Sequence, residues 1–275
     1  MNTEINFKLL PKYNLKGENL DDNVEFFAVS EKIGEVLYGS STFFKNSPLK
    51  DKQKKSFFGG LTSYTYENIL VGTNGFAFFV IKNYLDNFTR KDEISFDDCT
   101  DLYIVHQDNV RNFVYEGTDV RILFANRNTN KAIYEEIGWY HKKQEMKHGN
   151  QIWVHLSSCL ESCWTAYLSN KLEDEITEKG YISFWGIDKS FKEILRIGRG
   201  YITLILKKEN VTYNINEIKE MLLNNGDLVI RHLNYEKKLG GLFSKGNEHR
   251  ISLKDIFNRK ILFITIEKLL GYSIN

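Results

Sequence analysis

His155, Cys159 and Cys163 recur at every fourth residue, and on a helix that spacing stacks them along one face. Imidazole and thiolate are metal-ligand types. Three successive turns reach too far for one tetrahedral ion, so at most a pair of these side chains could share one. Leu156, Leu160 and Trp164 run along the same stripe, and cysteine is itself a common buried apolar residue. Core packing is the reading taken, and no metal is assigned. His141, His148 and His155 repeat every seven residues, a spacing to which no chemistry attaches. His232 aligns with Leu228 and Ile230 on one strand face and reads as a satisfied core histidine.

The segment from Arg196 to Gly200 (RIGRG) superficially looks like a phosphate loop. It lacks a third glycine and any following lysine, so neither nucleotide fingerprint is met. No GxSxG elbow and no HExxH helix occurs. Asp97-Asp98 and Glu135-Glu136 are adjacent carboxylates that surface solvation explains. No catalytic residue and no cofactor is assigned.

Charge is more informative in its distribution than in its total. The chain carries net +1, yet residues 180–275 hold 16 Lys and Arg against 10 Asp and Glu, a local +6. Residues 151–179 and 1–150 are net −3 and −2. Such a cationic region steers anions toward itself. The anion contacts expected from it are Arg196, Arg199, Lys207 and Lys208, with Lys237, Lys238 and Lys245 on a glycine-rich loop. The KDKQKK run at 50–55 reads as a solvated loop.

The elements that must position these residues follow from periodicity. Residues 152–179 hold apolar side chains at spacings of three and four and predict one long helix, stopped at Gly180. Beyond it, 181–187 and 201–206 are β-branched and aromatic runs, and 211–216 alternates with a period of two. Asn225-Gly226 between apolar runs predicts a two-residue hairpin. Residues 236–247 read as a mobile loop, and 249–253 alternates again. Asn258 is the expected N-cap of a closing helix through Leu270, with Gly271 at its left-handed end.

Earlier in the chain, 1–20 reads as an irregular arm and 24–37 as a helix. Strands are expected over 61–71, 76–81, 94–105, 110–115 and 120–124, then a short helix from Asn128 through Ile137. Residues 141–150 form a polar boundary. Apolar residues make up 42% and charged ones 27%, an ordinary globular balance. No run nears the roughly 18 apolar residues of a membrane span, and the N-terminus lacks a signal-peptide layout. Three cysteines without a CxxC pair fit a reducing compartment. A cytoplasmic protein is expected.

The expected fold class is α+β: two related units, 1–145 and 151–275, joined by the long helix. In each, a helix ends at a glycine (Gly39, Gly180), strands follow, and a helix closes (from Asn128, from Asn258). Arg121-Ile122 and Arg250-Ile251 stand at matching places ahead of those closing helices. This order, best over 181–271, resembles the pleckstrin-homology-like superfold in a tandem, bacterial-type form. The closing helix lacks the tryptophan that eukaryotic members usually carry, and no basic phosphoinositide signature is present. The resemblance implies a binding scaffold, and a fold alone names no ligand. The function expected is therefore non-enzymatic binding or scaffolding, with an unknown protein or an anionic ligand as partner. The alternatives are a hydrolase of a phosphorylated or nucleotide substrate, and a nucleic-acid binder using basic loops. The helix over 152–179 would also serve self-association.

Overall fold

The computed structural model describes residues 10–14, 19–24, 31–45, 64–82, 88–141, 149–187, 191–238, 243–245 and 247–274. The chain divides into two compact units. Unit 1 comprises residues 1–100, 104–124 and 132–167, and unit 2 comprises 101–103, 125–131 and 168–275. Among the described residues no helix is long and apolar enough to cross a membrane.

Unit 1 is built on a six-stranded sheet: β1 (Leu10–Asn14), β2 (Asn19–Val24), β3 (Val36–Lys45), β4 (Tyr64–Gly72), β5 (Gly75–Lys82) and β6 (Phe88–Ser95). Their order is β2-β1-β3-β4-β5-β6. β1 and β3 run parallel and every other neighbour is antiparallel. The strands β7 (Asp101–Arg111), β8 (Val114–Asn126) and β9 (Lys131–His141) form a second sheet. The helix α1 (Gly149–Lys179) follows. Over 31 residues it is about 46 Å long.

The core of unit 1 is aromatic. Trp164 is buried, its indole edge-on to Phe96 at 5.2 Å and to Phe124 at 6.0 Å. Phe76 extends the cluster to Phe124 and Tyr134. Leu156 and Leu160 of α1 are fully buried. The apolar stripe of the helix is thus covered within the single chain, which is what holds so long a helix together in water.

Unit 2 holds a four-stranded antiparallel sheet, β10 (Tyr181–Trp185), β11 (Glu193–Gly198), β12 (Tyr201–Ile205) and β13 (Asn210–Asn214). A three-stranded sheet follows, β14 (Ile218–Asn224), β15 (Asp227–His232) and β18 (Glu248–Ser252). Between β15 and β18 lies a paired excursion, β16 (Glu236–Lys238) with β17 (Phe243–Lys245). The helix α2 (Arg259–Leu270) closes the unit. Alternation along β10 to β12 buries Ile182, Phe184, Leu195, Ile197, Ile202 and Leu204, and α2 buries Ile261, Leu262 and Ile266. The architecture is α+β and mostly antiparallel.

Several expected elements differ. The arm at 1–20 contains β1 and the first two residues of β2. Of the helix expected over 24–37, residues 25–30 lie outside the described residues, and the rest is the end of β2, a 3-10 turn at Glu31–Ile33 and the start of β3. Pairing with β4, which starts at Val36–Gly72 and continues through Ser40–Ile69 and Thr42–Glu67, draws Val36 and Leu37 into the strand. The helix expected from Asn128 to Ile137 is a tight turn followed by β9. Asn126 Oδ1 accepts the N–H groups of Asn128 and Thr129, and Asn130 is left-handed at φ 52°. An asparagine of this kind makes a turn by itself. The first half therefore lacks the closing helix on which the parallel between the halves rested. The loop expected over 236–247 contains β16 and β17, and β11 is a strand that periodicity left out. The Asn225-Gly226 hairpin is as expected, with φ of 53° and 82°. The KDKQKK run and His148 lie outside the described residues.

Asn258 is the N-cap of α2, as expected, and its carbonyl accepts the Leu262 N–H at 3.0 Å; the correction is to its side chain, which makes no capping bond, and to its backbone, at φ 54°. Its Oδ1 accepts the Leu102 N–H at 2.9 Å, and its Nδ2 donates to Asp101 Oδ1 at 2.9 Å. Its own N–H donates to the Leu102 carbonyl at 2.8 Å. Asp101 is buried and also has Arg127 Nη1 at 3.6 Å. The left-handed backbone turns the amide away from the helix and onto the start of β7.

Two stability measurements follow. Trp164→Ala should cost about 3–5 kcal/mol in denaturant unfolding, the usual price of emptying a large aromatic site. Asn258→Ala should cost about 1–3 kcal/mol for the stranded polar groups. Asn258→Gly, which accommodates the left-handed backbone, should recover only the backbone part of that loss.

Candidate functional site

The β11–β12 hairpin turn, Arg199–Gly200, organises one end of unit 2. Gly200 N–H donates to the carbonyl of Leu269 in the last turn of α2 at 3.0 Å. Its own carbonyl accepts from Ile215 N–H, beyond β13, at 2.8 Å. Gly198 lets the Tyr201 ring lie over the turn: a β-carbon at this position would stand 2.2 Å from the ring, which would have to move aside. The glycines of RIGRG thus serve a tight hairpin with the Tyr201 ring folded over it, and no phosphate loop is present.

Beside this turn is a cavity of about 360 Å³, within the range of roughly 300–1,000 Å³ typical of ligand pockets. One wall is α1, where Ser169, Leu172, Glu173, Ile176 and Thr177 fall at helical spacings on one face. The other wall is α2, through Ile264, Thr265, Lys268 and Leu269, with Ile182 and Arg199 completing the lining. Five of these side chains are aliphatic, two are cationic and one is anionic. The cavity therefore presents an apolar interior together with Arg199, Lys268 and a set of hydroxyls.

The expected anion contacts sort into distinct places. Arg199 is exposed and lines the cavity. Lys207 and Lys208 are exposed in the turn between β12 and β13, at the opposite end of β12. Five residues of strand separate the two ends by about 17 Å. The β16–β17 pair carrying Lys237, Lys238 and Lys245 begins at the Arg199 end, because Leu233 N–H donates to the Glu217 carbonyl at 2.9 Å. In its register Lys245 opposes Glu236, Lys237 opposes Ser244, and Lys238 opposes Phe243.

Arg196 is engaged differently. Its Nε and Nη2 donate to Glu193 at 2.8 and 2.6 Å, and Ser183 Oγ donates to the same carboxylate at 2.6 Å. The guanidinium stands 4.9 Å from the Tyr181 ring centroid. Burial works to raise the Glu193 carboxyl, but the bonds from Arg196 and Ser183 outweigh it and hold the group below its usual range. Arg196 is an ion-pair partner of the sheet face. Arg231, buried in β15, is likewise bound to Glu220 at 2.6 Å and Glu248 at 2.7 Å.

His232 Nδ1 accepts from Asn234 N–H at 3.2 Å, and its ring lies 5.5 Å from Tyr213. Tyr213 Oη pairs with His249 Nε2 at 2.7 Å. Burial pushes the Tyr213 hydroxyl up and the His249 imidazole down, so both favour their neutral forms. Lys268 and the cavity stripe of α1 escaped the sequence reading. The available signal was the continuation of the helical spacing past Leu168 with serine, glutamate and threonine on the inward side.

On α1 in unit 1, Cys159 and Cys163 stand with their sulfurs 4.0 Å apart. The hydrogen bond from Cys163 lowers the Cys159 thiol to about 7, against the effect of burial. The same bond, with burial, raises the Cys163 thiol. The side chain of His155 lies outside the described residues. Among the described residues no group of three or more His, Cys, Asp and Glu is placed to hold a metal ion. No family model matches the chain, and no curated protein sequence does.

The Tyr213–His249 pair sets a pH dependence. His249 has a folded pKa below its ordinary 6.5, so in the interval between the two values the unfolded chain binds more protons. Its stabilising contribution is complete above about pH 6.5 and is lost as pH falls toward the folded value. Melting temperature should decline as pH is lowered from 6.5 to 5.5, and His249→Gln should flatten that decline. Glu193 and Glu248, held below the usual 4.5, titrate at lower pH and leave this window clear.

Proposed function

We propose that this chain is a non-enzymatic binding protein whose second unit takes a small amphiphilic anion into the cavity between α1 and α2. The observation that carries the reading is the joint presence of Arg199 and Lys268 in a lining of five aliphatic side chains, three hydroxyls and the single carboxylate of Glu173. The acyl or ring portion of a ligand would cover Leu172, Ile176, Ile182 and Ile264, and its acidic group would meet the two cations. Each buried methylene contributes about 0.8 kcal/mol. The charges contribute less, since Arg199 is exposed and screened, and their role is to select the anion.

Pleckstrin-homology-like organisation is proposed for residues 181–271. Four antiparallel strands, then a three-stranded sheet, then a closing helix support it. The lysines of the β16–β17 pair would add long-range attraction and raise the association rate.

The test is a thermal-shift series with decanoate, decyl phosphate and neutral decanol. The acids should raise the melting temperature, by the equivalent of about 2.7 kcal/mol at a hundred times Kd, and the alcohol should do so far less. Arg199→Glu with Lys268→Glu should abolish the acid-specific shift while leaving the unliganded melting temperature nearly unchanged. Lys237→Glu, Lys238→Glu and Lys245→Glu together should weaken binding at low salt and less at 0.15 M, where the Debye length is about 8 Å. Equal shifts for acid and alcohol, or a full shift in the Arg199/Lys268 variant, would contradict the reading.

A further inference from the structure

The charged groups around the cavity of unit 2 are segregated by element. The two cations come from the Arg199 turn and from Lys268 on α2, and the one carboxylate comes from Glu173 on α1. Guanidinium and ammonium groups only donate hydrogen bonds, and a carboxylate only accepts them. Thr177, one turn beyond Glu173 on the same wall, adds to the accepting side. Its hydroxyl donates its proton to the Glu173 carbonyl at 2.7 Å, so what it offers the cavity is an oxygen lone pair. Nearby on α1, Glu175 is paired with Lys179 at 3.2 Å, whereas Glu173 falls on the cavity stripe with Ser169 and Thr177. Among the described residues no ion pair joins Glu173 to Arg199 or to Lys268.

A lining with donors on one side and acceptors on the other distinguishes between kinds of amphiphile. A ligand with an acid alone satisfies Arg199 and Lys268 but stays within reach of the Glu173 carboxylate, which repels it. Its chain also covers that carboxylate, which then loses hydration without gaining a partner. An ammonium in the same headgroup removes both costs, because it is all donor and meets the Glu173 and Thr177 oxygens. On the amphiphile-binding reading of the cavity, on which this inference rests, we propose that the ligand is zwitterionic. It is a single-chain amphiphile whose acidic group is held by Arg199 and Lys268 and whose primary ammonium is held by Glu173 and Thr177. The five aliphatic side chains take the chain whichever headgroup it carries, so the charges decide which amphiphile is selected.

The experiment compares decyl phosphoethanolamine with its N-acetyl derivative, which keeps the chain and the phosphodiester and loses the ammonium. Isothermal titration of the full chain at neutral pH and low salt should show the ethanolamine compound binding about fivefold more tightly, the yield of a well-formed exposed ion pair. Glu173→Gln should abolish that preference. The same variant should bind the N-acetyl compound more tightly than wild type does, because the carboxylate no longer repels its phosphate. Glu173 is exposed, so the unliganded melting temperature should stay at the wild-type value. Equal affinity of wild type for the two compounds, or a preference that survives in Glu173→Gln, would overturn the zwitterionic assignment and leave the cavity as a site for simple anions. Failure of wild type to bind either compound would overturn the assignment and the amphiphile-binding reading together.

Discussion

The peptide group of Gly200 holds one end of unit 2 together. It donates to Leu269 and accepts from Ile215, so a single two-residue turn fixes the last turn of α2 and the exit of β13 against the β11–β12 hairpin. A third bond, from Leu233 to Glu217, brings the start of the β16–β17 excursion to the same end. Peptide groups in such connections need partners as much as those in ladders do. Satisfying them here draws together segments as far apart in sequence as Gly200 and Leu269. The cavity exists because α2 is pinned at its C-terminal turn while α1 enters β10 through Gly180, leaving the two helix stripes lining one space.

The cationic character of residues 180–275 is spread over the unit and not gathered at that end. Arg196, Arg231 and Arg250 are ion-paired within their own sheets with Glu193, Glu220 and Glu248, which the net +6 already sets against them. Arg231 is buried and supports two carboxylates at once, so its charge is spent on order within the sheet. Lys207 and Lys208 are separated from Arg199 by the length of β12. What remains beside the cavity is a small local excess, Arg199 and Lys268 against Glu173. Lys268 stands in the last turn of α2, where the helix dipole favours a cation.

What the sequence made legible was whatever its local periodicity over-determines. The stripe from Leu156 to Leu168, the Asn225-Gly226 turn, the alternation around Ile202 and Leu204, and the Gly271 terminus each carry a short-range physical signal. Misreadings fell where a local pattern had two solutions. Val36 and Leu37 fit a helical stripe, but the aromatic and β-branched run that follows fits a strand, and β4 supplies the partner that decides it. Asn128 looks like a helix start only if Asn126 is ignored, whose side chain had already closed a turn. The side-chain bonds of Asn258 could not have been read, because they go to Asp101 and Leu102, across 157 and 156 residues. The cavity was hidden for a similar reason: its lining mixes serine, threonine, glutamate and isoleucine, and only the facing stripe of α2 gives that mixture a meaning.

α1 shows how one helix can carry two kinds of side chain without losing its period. Through Tyr167 it belongs to unit 1, and from Leu168 onward to unit 2. In its first part the inward residues are Leu156, Leu160 and Trp164, fully apolar, and the small thiols of Cys159 and Cys163 sit beside them where a larger side chain would crowd the turn. In its second part Ser169, Glu173 and Thr177 alternate with Leu172 and Ile176 along the cavity stripe. A uniformly apolar continuation would have closed that space, since facing leucines fill the volume between helices. The hydroxyl and carboxylate groups put polar atoms on its wall, at the cost of apolar burial in those turns. The loss is tolerable because the helix is already anchored by the aromatic cluster around Trp164, several turns earlier. Stability is concentrated in one stretch of the helix, which frees the other for a site.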